Sequence, residues 1–299
     1  MAVMRADEHR RPDAYLRDPH AHLLTGEPAI SQVALMRRMN APIGVVLGRG
    51  RFGDAVLGRA VAAGVRQVVE LGAGSGTRAW RLPLPRDVVW YEVDLPGQLA
   101  AKNAAFERAG IAPSCVRRCV DADLRQSWAG AIADAGHDPS TPTVWIAEGL
   151  FYYLERAPAR EIMRTVTALS APGSRLVFDI PHTDFRRDPE KAQFLAYMAD
   201  RGSPFVGAAD HPGELLPEGE WDTDAYLSPD LATGQCRWVP RLPTRIARDH
   251  RLIWYAHAVR RDTAARPPHA TTEAATPHPP ATSADPDATP TATTTAPER

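Results

Sequence analysis

The sequence predicts a doubly wound α/β fold on a mostly parallel sheet, and three observations predict it. Short apolar runs rich in valine and isoleucine alternate with segments of helical periodicity. The first of these runs passes straight into a glycine-rich turn, and the second ends in an acid. Strands that alternate with helices in this way bury both faces of a parallel sheet, which is the layer arrangement of α/β domains.

Taken in order, residues 54–63 carry Val56, Leu57, Ala60 and Val61 at helical spacing, and Gly64 follows where a helix would close. The β-branched run 65–71 predicts the first strand, and 87–93 repeats the theme as the second. Residues 98–109, closed by Gly110, read as a helix. Further strands are expected at 115–120, 143–147 and 175–180, with a helix over 160–169 and a Pro172-Gly173 turn before the last of them. An apolar-rich run at 251–259 is expected to supply the final strand. Two regions stand outside the alternation: a helical N-terminal part, and an irregular Pro/Gly-rich insert at about 184–243. Ligands of open α/β sheets bind at the carboxyl ends of the strands, so both additions are expected to cover a site. The expected organisation is a helical cover over 1–46 and a main domain over 47–262 that includes the insert. From 263 to 299 the chain turns to Pro, Thr, Ala and Ser with almost no large apolar residue. Such a stretch cannot offset the entropy of ordering itself and is expected to be disordered.

The 299 residues are 44% hydrophobic and 24% charged, the balance of an ordinary globular chain. A formal net charge of −1 gives no positive field to draw it to nucleic acid or to a membrane, and basic residues do not cluster with aromatics. No window approaches the ~20 apolar residues of a membrane span. Residues 1–12 lack the apolar core of a secretory leader, so a cytoplasmic location is expected. Cys115, Cys119 and Cys236 are too few for a disulfide framework, and nothing nearby completes a tetrahedral metal set, so no metal is expected.

The chemistry centres on Val68-Val69-Glu70-Leu71-Gly72-Ala73-Gly74-Ser75-Gly76-Thr77. Glycine is needed where a ligand approaches the backbone closely or where φ is positive. Asp94, about twenty residues on, stands where an acid accepts both ribose hydroxyls of an adenosine moiety. These features fit a nicotinamide dinucleotide and S-adenosyl-L-methionine alike. A dinucleotide fingerprint wants glycine where Thr77 stands. Glu70 would repel a pyrophosphate, whereas it suits the cationic amino acid end of S-adenosyl-L-methionine. The residues therefore favour a methyl donor over a nucleotide, and both over a turn that binds nothing.

The matching stretches extend well beyond this loop. They are residues 68–82, Trp90-Tyr91-Glu92-Val93-Asp94-Leu95-Pro96, Asp123-Leu124-Arg125, residues 142–154 and residues 168–174, with Asp18-Pro19 and Arg49-Gly50-Arg51-Phe52-Gly53-Asp54 upstream. In this order they resemble the leucine carboxyl methyltransferase family, including its bacterial branch of small-molecule O-methyltransferases of the tetracenomycin type. The resemblance implies a seven-stranded class I methyltransferase sheet, S-adenosyl-L-methionine as cofactor, and an O-methyltransferase activity on a small-molecule acceptor. It implies that Arg49, or Arg51, pairs with the donor's carboxylate, and that Gly72 and Gly74 pass under its amino acid part. Asp94 would hold the ribose, Asp123 and Leu124 would flank the adenine, Glu148 would border the amino acid end, and Tyr153 would line the transfer pocket. One departure stands out: the family's pattern usually has aspartate where this chain has Gly76.

Whether a base is needed depends on the acceptor. A carboxylate is already ionised at neutral pH, whereas a phenol has a pKa near 10 and profits from one. His182, just past the fifth strand, is the first base candidate; His211 and Asp179 are others. The acceptor readings are a carboxyl or hydroxyl group of a small molecule, such as a secondary metabolite, or the carboxyl terminus of a protein. A cofactor-binding fold without catalysis is the reading from a different class.

Overall fold

Five parallel strands, β1 (Gln67–Leu71), β2 (Val89–Asp94), β3 (Val116–Asp121), β4 (Thr143–Ala147) and β5 (Arg175–Pro181), form the centre of the computed structural model. The model describes residues 1–39, 41–42, 44–247 and 252–262. β6 (Trp221–Leu227) and β7 (Ile253–Arg260) complete a seven-stranded sheet of order β3-β2-β1-β4-β5-β7-β6. β7 runs antiparallel to both of its neighbours. The order reverses between β1 and β4, which opens a crevice at their carboxyl ends.

The helices are α1 (Ala2–His9), α2 (Glu27–Arg38), α3 (Val45–Ala62), α4 (Arg78–Arg81), α5 (Ala100–Arg108), α6 (Ala129–Asp134), α7 (Arg156–Ala168), α8 (Ala192–Asp200), α9 (Ser228–Thr233) and α10 (Thr244–Ala247). Successive strand residues face opposite ways, so each strand feeds two cores. Val69, Leu71, Trp145 and Phe178 pack on the face closed by Ile162, Met163 and Val166 of α7. Val68, Trp90, Val144 and Ile146 pack on the other, beneath Leu57, Ala60 and Val61 of α3. Farther along the same helix, Phe52 and Val56 meet Val177 and Tyr255. Glu70 follows Val68, and Glu148 follows Ile146, in the alternation that faces α3. That parity brings several carboxylates beneath one helix.

The fold is the doubly wound α/β arrangement expected from the alternation, and its seven strands are the number that the resemblance implies. α3 begins at Val45, nine residues before the periodic stretch at 54–63, because Gly48, Gly50 and Gly53 dilute its apolar signal. The stretch read as an irregular insert holds α8, β6 and α9. The expected tail, 263–299, lies outside the described residues. No helix among the described residues is long and apolar enough to cross a membrane.

Candidate active site

A cavity of about 400 Å³ opens where the strand order reverses. Its floor is the glycine loop after β1. Gly72 and Gly74 take φ of +66° and +43°, a region that L side chains rarely adopt. The loop is tied to β2: the amides of Gly72 and Ala73 donate to the Val93 carbonyl, and that of Gly74 donates to Asp94 Oδ2 at 2.7 Å. It is tied to the N-terminal segment as well. Thr77 Oγ1 donates to Asp18 Oδ2 at 2.6 Å, and Arg5 bonds both Asp18 and the Ser75 carbonyl.

One wall is built around a buried guanidinium. Arg78 Nε donates to Asp54 Oδ1 at 2.8 Å; Nη2 donates to both oxygens of Glu148, at 2.8 and 3.0 Å, and to the Gly50 carbonyl. Nη1 lies 3.7 Å from Glu70 Oε1. A buried charge is tolerated only when paired and hydrogen-bonded, and Arg78 meets both conditions on all sides. Burial alone would lower its pKa, but Glu148, Asp54 and Glu70 outweigh burial and raise it. Glu148 shows the opposite balance, since burial outweighs Arg78 and lifts its carboxyl above the usual range. Asp54 also takes both terminal nitrogens of Arg81, which holds α4 against α3.

Arg49 lies one turn earlier on α3, beside Gly149, with Nη1 3.4 Å from Asp179 Oδ2. Asp179 accepts shorter bonds from the Gly149 amide and the Tyr152 hydroxyl, both at 2.6 Å. Burial and Asp179 together push the Tyr152 hydroxyl well above its ordinary pKa, so it stays a donor. Beyond these groups the cavity turns apolar. The Phe205 ring sits edge-on to Tyr152, Tyr153 and Phe194 at 5.1, 5.3 and 5.3 Å, and Met36 and Met198 extend the same lining.

Of the residues singled out in the sequence, Arg49, Gly72, Gly74, Glu148 and Tyr153 come together in the cavity lining. Asp94 stands directly behind the loop through its bond to Gly74. Arg51 is exposed on α3. Asp123, past the end of β3, is paired with Arg125 at 2.8 Å, while Leu124 packs into the core; neither lines the cavity. His182 and His211 lie outside the lining too. Each caps a short 3-10 turn, with Nδ1 accepting an amide at 3.1 Å, and their rings lie 6.1 and 5.6 Å from that of Trp254. Sequence reading missed Arg78, Arg5 and Asp54, whose importance lies only in whom they meet.

The family model described as leucine carboxyl methyltransferase matches residues 1–167. The chain belongs to this family. A relative from Mycolicibacterium vanbaalenii, named provisionally as an S-adenosyl-L-methionine-dependent methyltransferase, is 42% identical over 255 residues, covering 75% of this chain and 80% of its own. A relative from Frankia alni with the same provisional name is 40% identical over 186 residues, covering 59% of this chain and 65% of its own. The chain thus spans just under two thirds of the Frankia protein's length. Among solved structures, a DUF574 family protein from Streptomyces avermitilis superposes with a TM-score of 0.55 at 18% identity, covering 86% of this chain and 96% of that one. A provisionally named methyltransferase from Thermobifida fusca gives 0.54 at 16%, covering 87% and 94%. At such identities the likeness concerns the fold.

Proposed function

We propose that this member of the leucine carboxyl methyltransferase family transfers the methyl group of S-adenosyl-L-methionine to a carboxyl or hydroxyl oxygen of a small molecule, a secondary metabolite being the acceptor class in view. The observation that supports this best is a single cavity that joins a positive-φ glycine loop to an apolar, aromatic wall. When bound, the cofactor supplies a methyl group on a sulfonium, already activated for in-line displacement.

The chain's residues fit such a donor. The Arg49 fork suits a carboxylate, and Glu148 lies at the loop with oxygens able to accept from an ammonium group. Asp94, held against Gly74, is assigned to the ribose hydroxyls, and Asp123 and Leu124, which stand outside the cavity lining, to the adenine end. Tyr153 borders the acceptor side. Alignment and exclusion of water are what the protein adds, because the methyl group needs no further activation. His182 Nδ1 accepts the Asp184 amide and its ring lies beside Trp254, outside the cavity lining, so proton removal is not assigned to it.

Calorimetry with S-adenosyl-L-methionine tests the donor: absence of binding at millimolar concentration refutes the reading. The acceptor is tested by comparing metabolites of a producing strain and its deletion mutant by mass. A species lighter by one CH2 that accumulates in the mutant identifies the small molecule. Label from a radioactive donor that appears instead on a protein carboxyl terminus would replace the acceptor assignment.

A further inference from the structure

A second cleft, of about 600 Å³, lies toward the opposite end of the sheet from the glycine loop. It is lined by Arg175, the first residue of β5, and by Arg59, in the last turn of α3. Asp179 and Arg49 stand toward the other ends of the same two elements, and ~15 Å of helix separates Arg49 from Arg59. β6 and β7 contribute Asp222, Asp224 and His257, and the segment after α9 contributes Arg237 and Trp238. This cleft is rich in donors and short of acceptors. Its two acids are already taken, since Arg237 pairs with Asp224, and Arg261 pairs with Asp222. Among the described residues, Arg59 and Arg175 have no carboxylate partner. The Arg59 guanidinium reaches the Arg237 carbonyl at 3.4 Å and lies over the Trp238 ring, while Arg175 Nη1 reaches His257 Nε2 at 3.5 Å.

A guanidinium only donates, so His257 Nε2 accepts from Arg175 and the imidazole proton sits on Nδ1. That nitrogen is buried without a hydrogen bond, and Asp224 Oδ2 stands 3.8 Å from it. Trp238 Nε1 is a second buried donor without a partner. Unpaired buried donors beside unpaired cations mark a place where an anion is missing. We propose that this cleft binds a phosphate group, held by Arg59 and Arg175 and bordered by His257. Each guanidinium fork can take two oxygens. A carboxylate has oxygens for one fork, whereas a phosphate dianion has enough for both. The site is separate from the donor cavity, and its assignment does not rest on the donor reading.

The test uses the full chain in phosphate-free buffer, titrated with inorganic phosphate and, separately, with glycerol phosphate, with acetate at matched ionic strength as the control. Calorimetry is expected to show one site with a Kd on the order of 1 mM or tighter, and about 10 mM phosphate should raise Tm by about 2–4 °C. Arg175→Gln and Arg59→Gln are each expected to weaken binding about tenfold or more. Arg59 is exposed at the helix end, so Arg59→Gln keeps the fold if Arg175→Gln does not. Tighter binding of glycerol phosphate than of phosphate supports the proposal and assigns the site to a phosphomonoester; the reverse order supports it with free phosphate as the ligand. Absence of heat and of a Tm shift even at tens of millimolar phosphate overturns it. So does an equal effect of acetate, or wild-type phosphate affinity in Arg59→Gln.

Discussion

Replacing Gly53 with alanine sets two effects of opposite sign against each other. The residue is inside α3, and alanine for glycine in a helix interior stabilises by ~0.5–1 kcal/mol. The added methyl, however, would stand 2.2 Å from Glu148 Oε1 and 2.6 Å from Arg78 Nη2. These two groups are bonded to each other at 2.8 Å with side chains 12% and 5% exposed, so neither can swing into water without stranding the other. Overpacking a tight interior costs ~1–3 kcal/mol. Full loss of one partner of a buried pair costs more, but here no charge is deleted and Arg78 keeps Asp54. The net expectation is a destabilisation of about 1–2 kcal/mol, with Glu148 displaced and donor affinity reduced. Gly58 supplies the control, since it is on the same helix and a Cβ there meets nothing within 4 Å. Gly58→Ala is expected to stabilise by up to ~1 kcal/mol. Urea unfolding followed by circular dichroism reads both, with a calorimetric donor titration of each variant. If Gly53→Ala raised the midpoint as Gly58→Ala does, α3 would not lie against the Arg78–Glu148 pair. The geometry assigned to Arg49, one turn away, would fall with it.

Three further outcomes follow from the same contacts. Arg49→Lys exchanges a planar fork for a point charge and is expected to weaken donor binding about tenfold in calorimetry, with the unfolding midpoint nearly unchanged. Tyr152→Phe removes the 2.6 Å donor to Asp179 and leaves that buried carboxylate with the Gly149 amide and a longer contact to Arg49, so chemical unfolding should show a loss of ~1–3 kcal/mol. Glu70 governs a pH dependence: burial foremost, with Glu92 and Glu148 acting against Arg78 and Lys102, raises its carboxyl to about 7. The folded state then keeps a proton that the unfolded chain has already released. Glu70's contribution to stability is therefore full below its unfolded pKa and is lost as pH rises through about 7. Glu70→Gln should lack that decline, so its stability relative to wild type should grow between roughly pH 5 and pH 8, and a constant difference in unfolding free energy across that range would count against the assignment.

The sheet was largely legible because its buried strands differ sharply in composition from what flanks them. β1, β2, β4 and β5 are apolar runs that end at a glycine turn, an acid or a proline, and their boundaries fall within two residues of the expected ones. β6 escaped for a physical reason. Trp221–Leu227 is an antiparallel edge strand with one face toward solvent, and its outward acids, Asp222 and Asp224, pair with Arg261 and Arg237. Charges of this kind blunt an edge against further pairing. They also erase the apolar signal by which a strand is read from sequence.

In the site, single residues were legible where the chain presents a motif, as at Gly72, Gly74, Asp94 and Glu148. Their electrostatic partners were not, because a guanidinium is recognised by what surrounds it. Yet strand parity contained more than was taken from it. Glu70, Glu92 and Glu148 alternate with apolar residues that face α3, so three acids had to share one buried layer. Uncompensated carboxylates in such a layer would each cost several kcal/mol. Cations must therefore reach it, whether from the helices or from the edge strand β3. Lys102 and Arg117 meet Glu92, and Arg78 meets Glu148 and Glu70. Arg78 follows the glycine loop directly in sequence and reaches α3 through Asp54, and Lys102 ties Glu92 to the loop through the Gly76 carbonyl, so a change in loop position is felt by the acids through both cations.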